Sequence, residues 1–146
     1  TIANWEEHNF PELIGMTGRE LAELLGHELP EDAQLSKVYR GPPRIFVPAV
    51  RTSFHRGQPL SLRVLVLSAQ SPEGVVLHWR RLGAVRYSEL PLSHVARGVY
   101  RADFPSVASR ADDVEYYLEL KLVIGKPVVW PATAPERGQT LVAMEP

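Results

Sequence analysis

Residues 75–81 read VVLHWRR, and residues 114–123 read VEYYLELKLV. In both stretches apolar side chains recur at every second position, the period of a strand and not of a helix. Val75, Leu77 and Trp79 fall on one side of the first stretch, opposite Val76, His78 and Arg80. In the second, Val114, Tyr116, Leu118, Leu120 and Leu122 oppose Glu115, Tyr117, Glu119 and Lys121. The first set of each pair is expected to face a core, where an indole and a phenol ring suit the roughly 10 Å gap between two packed sheets.

Working outward, the same reading predicts strands over 44–50, 60–67, 86–92, 98–104 and 139–144. Leu60, Leu62, Val64 and Val66 are expected to point inward from one, and Tyr100, Ala102 and Phe104 from another. Turn-rich pieces such as HRGQP, SPEG, LGA, ARG and SRADD separate the runs, and much of the Gly and Pro (10 and 13 residues) sits in such corners. No helical stretch is long enough for a βαβ crossover. The expectation is a mostly β fold: a seven-stranded antiparallel two-sheet sandwich over residues 44–146.

Residues 1–43 have a different texture. From Met16 to Leu29 the leucines fall at helical spacing, Thr17 and Glu20 have the T-x-x-E form of a capping box, and Pro30 with the polar run EDAQ supplies a stop. Gly41-Pro42-Pro43 then marks a boundary. This segment is expected to be a linker or the end of a preceding domain. Its short helix is marginal without tertiary packing, so the stripe of Leu21, Leu24 and Leu25 must be buried against an edge or face of the sandwich or against another domain.

Composition narrows the function. With 16 Lys+Arg against 17 Asp+Glu the formal charge is −1, which provides no polyelectrolyte attraction to nucleic acid or an acidic membrane. At 45% hydrophobic and 23% charged residues the chain can fill a core. The absence of Cys excludes disulfides, thiolate metal sites and cysteine nucleophiles. The longest apolar run, 60–69, is interrupted by Arg63 and falls short of a membrane span, so a soluble piece is expected. With a start at Thr1, no Met and no leader pattern, the chain is expected to be a mature or excised piece of a longer parent.

No G-x-S-x-G, H-E-x-x-H or P-loop pattern occurs. Glu115 and Glu119, four residues apart on one strand face, would stand about 13 Å apart, beyond the separation glycosidases use, and read as solvated charges flanking Tyr117. The five histidines lack metal-ligand spacing and read as lone surface residues. Asp112, Asp113 and Glu115 offer hard oxygens without the EF-hand pattern, an acidic turn before a strand. Aromatics beside polar groups are where a sugar could stack. Trp130, Tyr117, Tyr87 and Glu119 are therefore the candidate ligand-binding residues. Trp130, in VVWPATAPE, either displays its indole or pins the last loop to the sandwich; Tyr117 either meets a ligand or pairs across strands on a solvated face.

The strings VLHWRRLG, ELPLSHVARGVYRADFPS, DDVEYYLEL and VVWPATAPE together resemble a fibronectin type III or immunoglobulin-like (early-set) sandwich, of the kind that stands as an accessory domain beside catalytic domains in secreted bacterial carbohydrate-active enzymes. The resemblance covers residues 44–146; the antibody Cys pair is absent and residues 1–43 have no counterpart. It implies a non-catalytic module, extracellular or periplasmic, with no cofactor. The module would serve as a spacer and as a weak polysaccharide-binding surface, its partners being the adjacent domain of the parent protein and a polysaccharide, with neither nucleic acid nor membrane. The alternative is a protein–protein interaction module of a bacterial surface protein, using edge strands or the N-terminal helix.

Overall fold

The computed structural model describes residues 10–34, 38–106 and 112–145, with the side chains of 10–15 and 32 excepted. The chain divides into two compact units, Thr1–Tyr39 and Arg40–Pro146.

Among its described residues the first unit holds one helix, α1 (Phe10–Leu25), and a 3-10 turn at Glu31–Ala33. The helix starts six residues before the expected Met16, which corrects the sequence reading. Thr17 and Glu20 lie in its interior, so they do not cap a terminus, whereas Pro11 sits in the first turn, where its fixed φ and missing N–H are tolerated. The stop is Gly26 and not Pro30. Gly26 adopts φ +73°, the left-handed conformation that closes many helices, and its N–H donates to the Glu23 carbonyl at 3.2 Å. Leu21, Leu24 and Leu25 are 46%, 84% and 51% exposed.

The described residues of the second unit form ten strands: β1 (Arg44–Phe46), β2 (Ser53–His55), β3 (Ser61–Leu67), β4 (Gly74–Arg81), β5 (Ser88–Pro91), β6 (Ser93–Ala96), β7 (Val99–Asp103), β8 (Val114–Lys121), β9 (Val128–Trp130) and β10 (Gln139–Met144). All seven expected strands are present within a few residues, the largest change being β1, which ends at Phe46 and not Val50. The three additions, β2, β6 and β9, are only three or four residues long, too short for alternation to register.

One sheet has the order β1-β3-β7-β6; the other runs β2-β10-β8-β4-β5, with β9 pairing the far half of β8 beyond β10. Among the described residues the pairings are antiparallel except one: β2 runs parallel to β10, with Val142 opposite Ser53 and Met144 opposite His55. The wholly antiparallel expectation is corrected there. The Val142 N–H donates to the Thr52 carbonyl at 2.9 Å and the Arg56 N–H to the Met144 carbonyl at 3.0 Å, bonds that hold both ends of this short strand to β10.

The two sheets close over one apolar core in a β-sandwich-like arrangement. Val75, Leu77, Trp79, Val114, Tyr116, Leu118, Leu120 and Leu141 enter from the larger sheet, and Ile45, Leu62, Val64, Val66, Tyr100 and Ala102 from the smaller. Trp79 is 8% and Tyr116 1% exposed. Phe104 meets Tyr116 edge to face, with ring centroids 5.8 Å apart at 86°. At the tight β6–β7 turn, a Cβ on Gly98 would stand 2.1 Å from the Val66 carbonyl oxygen, which leaves room only for glycine.

Among the described residues the Tyr116 hydroxyl is buried without a hydrogen-bond partner, and burial raises its pKa far above that of a free phenol. An unpaired buried hydroxyl costs free energy that the ring alone does not. Tyr116→Phe is therefore expected to raise stability by about 1 kcal/mol, whereas Leu118→Ala at the fully buried centre lowers it by about 3 kcal/mol. Urea unfolding checks both; a destabilised Tyr116→Phe protein would mean that the hydroxyl is satisfied after all.

Candidate functional site

Strand alternation puts His78 and Arg80 of β4 and Glu115, Tyr117 and Glu119 of β8 on the outer face of the larger sheet, and register decides how they meet. His78 stands directly opposite Tyr117 on one side and Glu89 of β5 on the other; Arg80 stands opposite Glu115. Directly opposed residues in an antiparallel pair have Cβ atoms about 5 Å apart, close enough for rings and ion pairs to touch.

The result is one continuous cluster. The His78 imidazole stacks on Tyr117 with centroids 4.4 Å apart and 5° between planes. Tyr87 meets Tyr117 edge-on at 4.9 Å, and the Arg80 guanidinium lies 4.2 Å from the centre of the Tyr87 ring, a cation–π contact. His78 Nε2 lies 2.8 Å from Glu119 Oε2 and donates to it, since a carboxylate accepts. Nδ1 lies 3.8 Å from Glu89 Oε1. Arg80 donates through Nε to Glu115 Oε2 at 2.7 Å, with Nη2 2.6 Å from the same oxygen, while Glu115 Oε1 accepts the Gly138 N–H at 2.8 Å. A Cβ on Gly138 would stand 2.5 Å from the Tyr116 carbonyl oxygen, so glycine is what lets this amide reach the carboxylate.

Electrostatics follow the geometry. Burial pushes the Glu115 carboxyl up, but the Gly138 amide and the Arg80 guanidinium outweigh it and hold the group below the usual carboxylate range. Burial and the Glu115 charge raise the Tyr87 phenol against the pull of Arg80; burial with the Glu119 and Glu89 charges raises Tyr117. Both phenols stay neutral at physiological pH. The Tyr87 hydroxyl is buried and without a hydrogen-bond partner among the described residues, so what this half-buried pair offers a ligand is ring surface, with the polar contacts left to the neighbouring carboxylates.

Three of the sequence-derived candidates, Tyr117, Tyr87 and Glu119, thus come together. Trp130 does not join them. It stands opposite Leu118 in the β8–β9 pairing, hence on the inner side of the sheet, with its ring 6.0 Å from Tyr116. The pinning role, one of its two expected readings, is the one the packing gives. His78 and Glu115 correct the sequence reading. They were expected to be a surface residue and a solvated charge, yet they are 6% and 7% exposed because the neighbouring rings and ion pairs cover them. Arg80, Glu89 and Gly138 are further members that sequence reasoning missed; alternation alone gives the facing of each strand, and register is needed to join them.

Asp112, Asp113 and Glu115 are drawn apart by separate partners: Arg56 Nη2 at 2.7 Å from Asp112, the Ala143 N–H at 3.0 Å from Asp113, and Arg80. Among the described residues no group of three or more His, Asp or Glu is arranged to hold a metal ion. A depression of about 300 Å3 beside β2 is lined by Arg51, Ser53, Phe54, His55, Gln58 and Pro59, and its titratable members Arg51 and His55 are exposed. No helix among the described residues is long and apolar enough to cross a membrane.

No protein-family model matches the chain, and no curated protein does. Among solved structures it is similar to an engineered protein at 15% identity and a TM-score of 0.48, over 70% of this chain and 20% of that one. It is also similar to the endo-β-1,4-mannanase from Thermotoga petrophila at 14% identity and a TM-score of 0.49, over 88% of this chain and 23% of that one. The chain therefore spans about a fifth to a quarter of the length of these structures, and likenesses at this level carry no argument about its fold or role.

Because the folded-state pKa of Glu115 is depressed, its ion pair contributes fully above the carboxylate's unfolded value and is lost as pH falls through the folded one. Thermal melting should show an acid limb that Glu115→Gln flattens. At neutral pH the same substitution leaves Arg80 without its carboxylate and is expected to cost about 3 kcal/mol, roughly 10 °C in Tm. An unchanged acid limb in the variant would show that Glu115 is not the group responsible.

Proposed function

We propose that this chain is a non-catalytic accessory module of a larger secreted bacterial polysaccharide-active enzyme, a spacer that presents a weak carbohydrate-binding surface on the outer face of its larger sheet. The observation that carries the binding role is the Tyr117–Tyr87 pair. One ring is stacked on His78 and the other is held by Arg80, with Glu119 and Glu89 alongside. Such rings lose little conformational freedom when a pyranose stacks on them, and the adjoining carboxylates accept hydrogen bonds from its hydroxyls.

Support for an immunoglobulin-like reading comes from strand order. The orders β1-β3-β7-β6 and β10-β8-β4-β5 correspond to A-B-E-D and G-F-C-C′ in that type of sandwich. Sandwiches of this kind carry many functions, so the fold supports the spacer role and leaves the binding role to the surface residues. The neighbouring domain of the parent protein is the proposed covalent partner, and the extracellular space or periplasm the proposed location. The alternative, a protein-contact module of a bacterial surface protein, is favoured by a different observation, the exposed leucines of α1.

Affinity electrophoresis in gels containing soluble glucomannan, xylan or hydroxyethylcellulose tests the reading. Retardation is expected with at least one polymer. Tyr117→Ala should weaken it about three- to tenfold, the worth of a ring contact, and Tyr87→Ala by less. Trp130→Ala, if it remains folded, should leave retardation intact. Mobility that no polymer changes, or retardation indifferent to both tyrosines, would overturn the carbohydrate role.

A further inference from the structure

The near-neutral net charge conceals a strong asymmetry. Residues 1–39 hold eight carboxylates and two Lys or Arg, whereas residues 40–146 hold nine carboxylates and fourteen Lys or Arg. A segment of formal charge −6 is thus joined to one of +5. Asymmetry of this size between parts of one chain points to association with something of opposite charge.

Part of the positive charge sits where an apolar surface is also open, on the outer face of the smaller sheet. Register places Phe46, Leu65, Val99 and Ala96 in one row across β1, β3, β7 and β6. Phe46 and the adjoining Leu67 are 43% and 39% exposed. At about 4.8 Å between strands the row is about 14 Å long, enough to seat a helix about 10–12 Å across. Arg44 flanks it on one side. On the other, Arg63 stands directly opposite Arg101, a like-charge pairing that destabilises a sheet unless something neutralises it. Asp103 pairs with Arg101 at 2.8 Å, while Arg63 and Arg44 make no ion pair among the described residues.

The complementary surface belongs to the first unit. Helix α1 presents Leu21, Leu24 and Leu25 on one face, all exposed, with exposed Glu20 and Glu23 beside them. We propose that two copies of this chain associate through these surfaces: the acidic, leucine-bearing helix of one copy docks across the Phe46–Leu65–Val99–Ala96 row of the other, its glutamates meeting Arg63 and Arg44. A second copy is favoured over an unrelated protein because both halves of the contact, matched in charge and in exposed apolar surface, belong to the same chain. Reciprocal docking closes a two-fold dimer in which each contact occurs twice. This contact lies on the opposite sheet from the Tyr117–Tyr87 surface, so the two proposals stand or fall separately.

Sedimentation velocity of the full chain over a range of concentrations, at low and high salt, provides the test. A reversible dimer is expected, weakening as salt screens the charges. Leu24→Lys and Arg63→Glu alter exposed side chains and should leave thermal melting unchanged, yet each should weaken dimerisation roughly tenfold or more. Mixing the two variants restores one intact contact, the helix of the Arg63→Glu protein on the sheet of the Leu24→Lys protein, and should regenerate a one-to-one complex. A chain that stays monomeric at every concentration, a dimer indifferent to both substitutions, or a mixture that forms no complex would each overturn the proposal.

Discussion

The pairing of Gly74–Arg81 with Val114–Lys121 supports the rest of the second unit. Eight consecutive residue pairs join β4 to β8 in unbroken antiparallel register, and both strands are buried on their inner side along nearly their whole length. One-residue slippage would move Leu77, Trp79, Tyr116 and Leu118 to the outside, so the hydrophobic pattern locks the register. That same register places His78 on Tyr117 and Arg80 on Glu115. Core and surface cluster are therefore two faces of one constraint, and a change that loosens the inner face displaces the outer one.

The long strands could be read from the chain because their alternation persists over seven or eight residues, as in SLRVLVL of β3 and VEYYLELK of β8. The inward positions of Leu62, Val64, Val66, Trp79 and Tyr116 followed from the same signal. What could not be read were features without a period. β2 and β9 are three residues each, and the parallel seating of β2 beside β10 depends on where a bend in 47–52 delivers the chain. The helix start is not legible because the T-x-x-E pattern of Thr17 and Glu20 lies inside the helix, whereas Pro11 is compatible with the observed start.

The outer cluster shows the same division. Tyr87, Tyr117 and Glu119 are legible one by one as candidates, with Tyr117 beside Glu119 on one strand face; that Tyr87 meets Tyr117 is not legible. Nor is the burial of His78 and Glu115, because it arises from residues on three strands and from an amide, that of Gly138, twenty-three positions away. A carboxylate accepting both a guanidinium and a backbone N–H is internally satisfied, which makes Glu115 a positioning element for the ring that Arg80 holds. The half-buried tyrosines and Glu119, with exposed Glu89, are what that scaffold leaves available to a ligand.

The margins of both sheets are brief or irregular: β1 and β2 have three residues each, β6 is broken by a register shift between His94 and Ala96, and β5 ends on Pro91. None presents the long flat ladder of unpaired amides on which further strands could be templated. Strung in series or crowded at high local density, such units would resist growth into cross-β fibrils, and whatever contacts they form must be made by side chains and not by shared backbone.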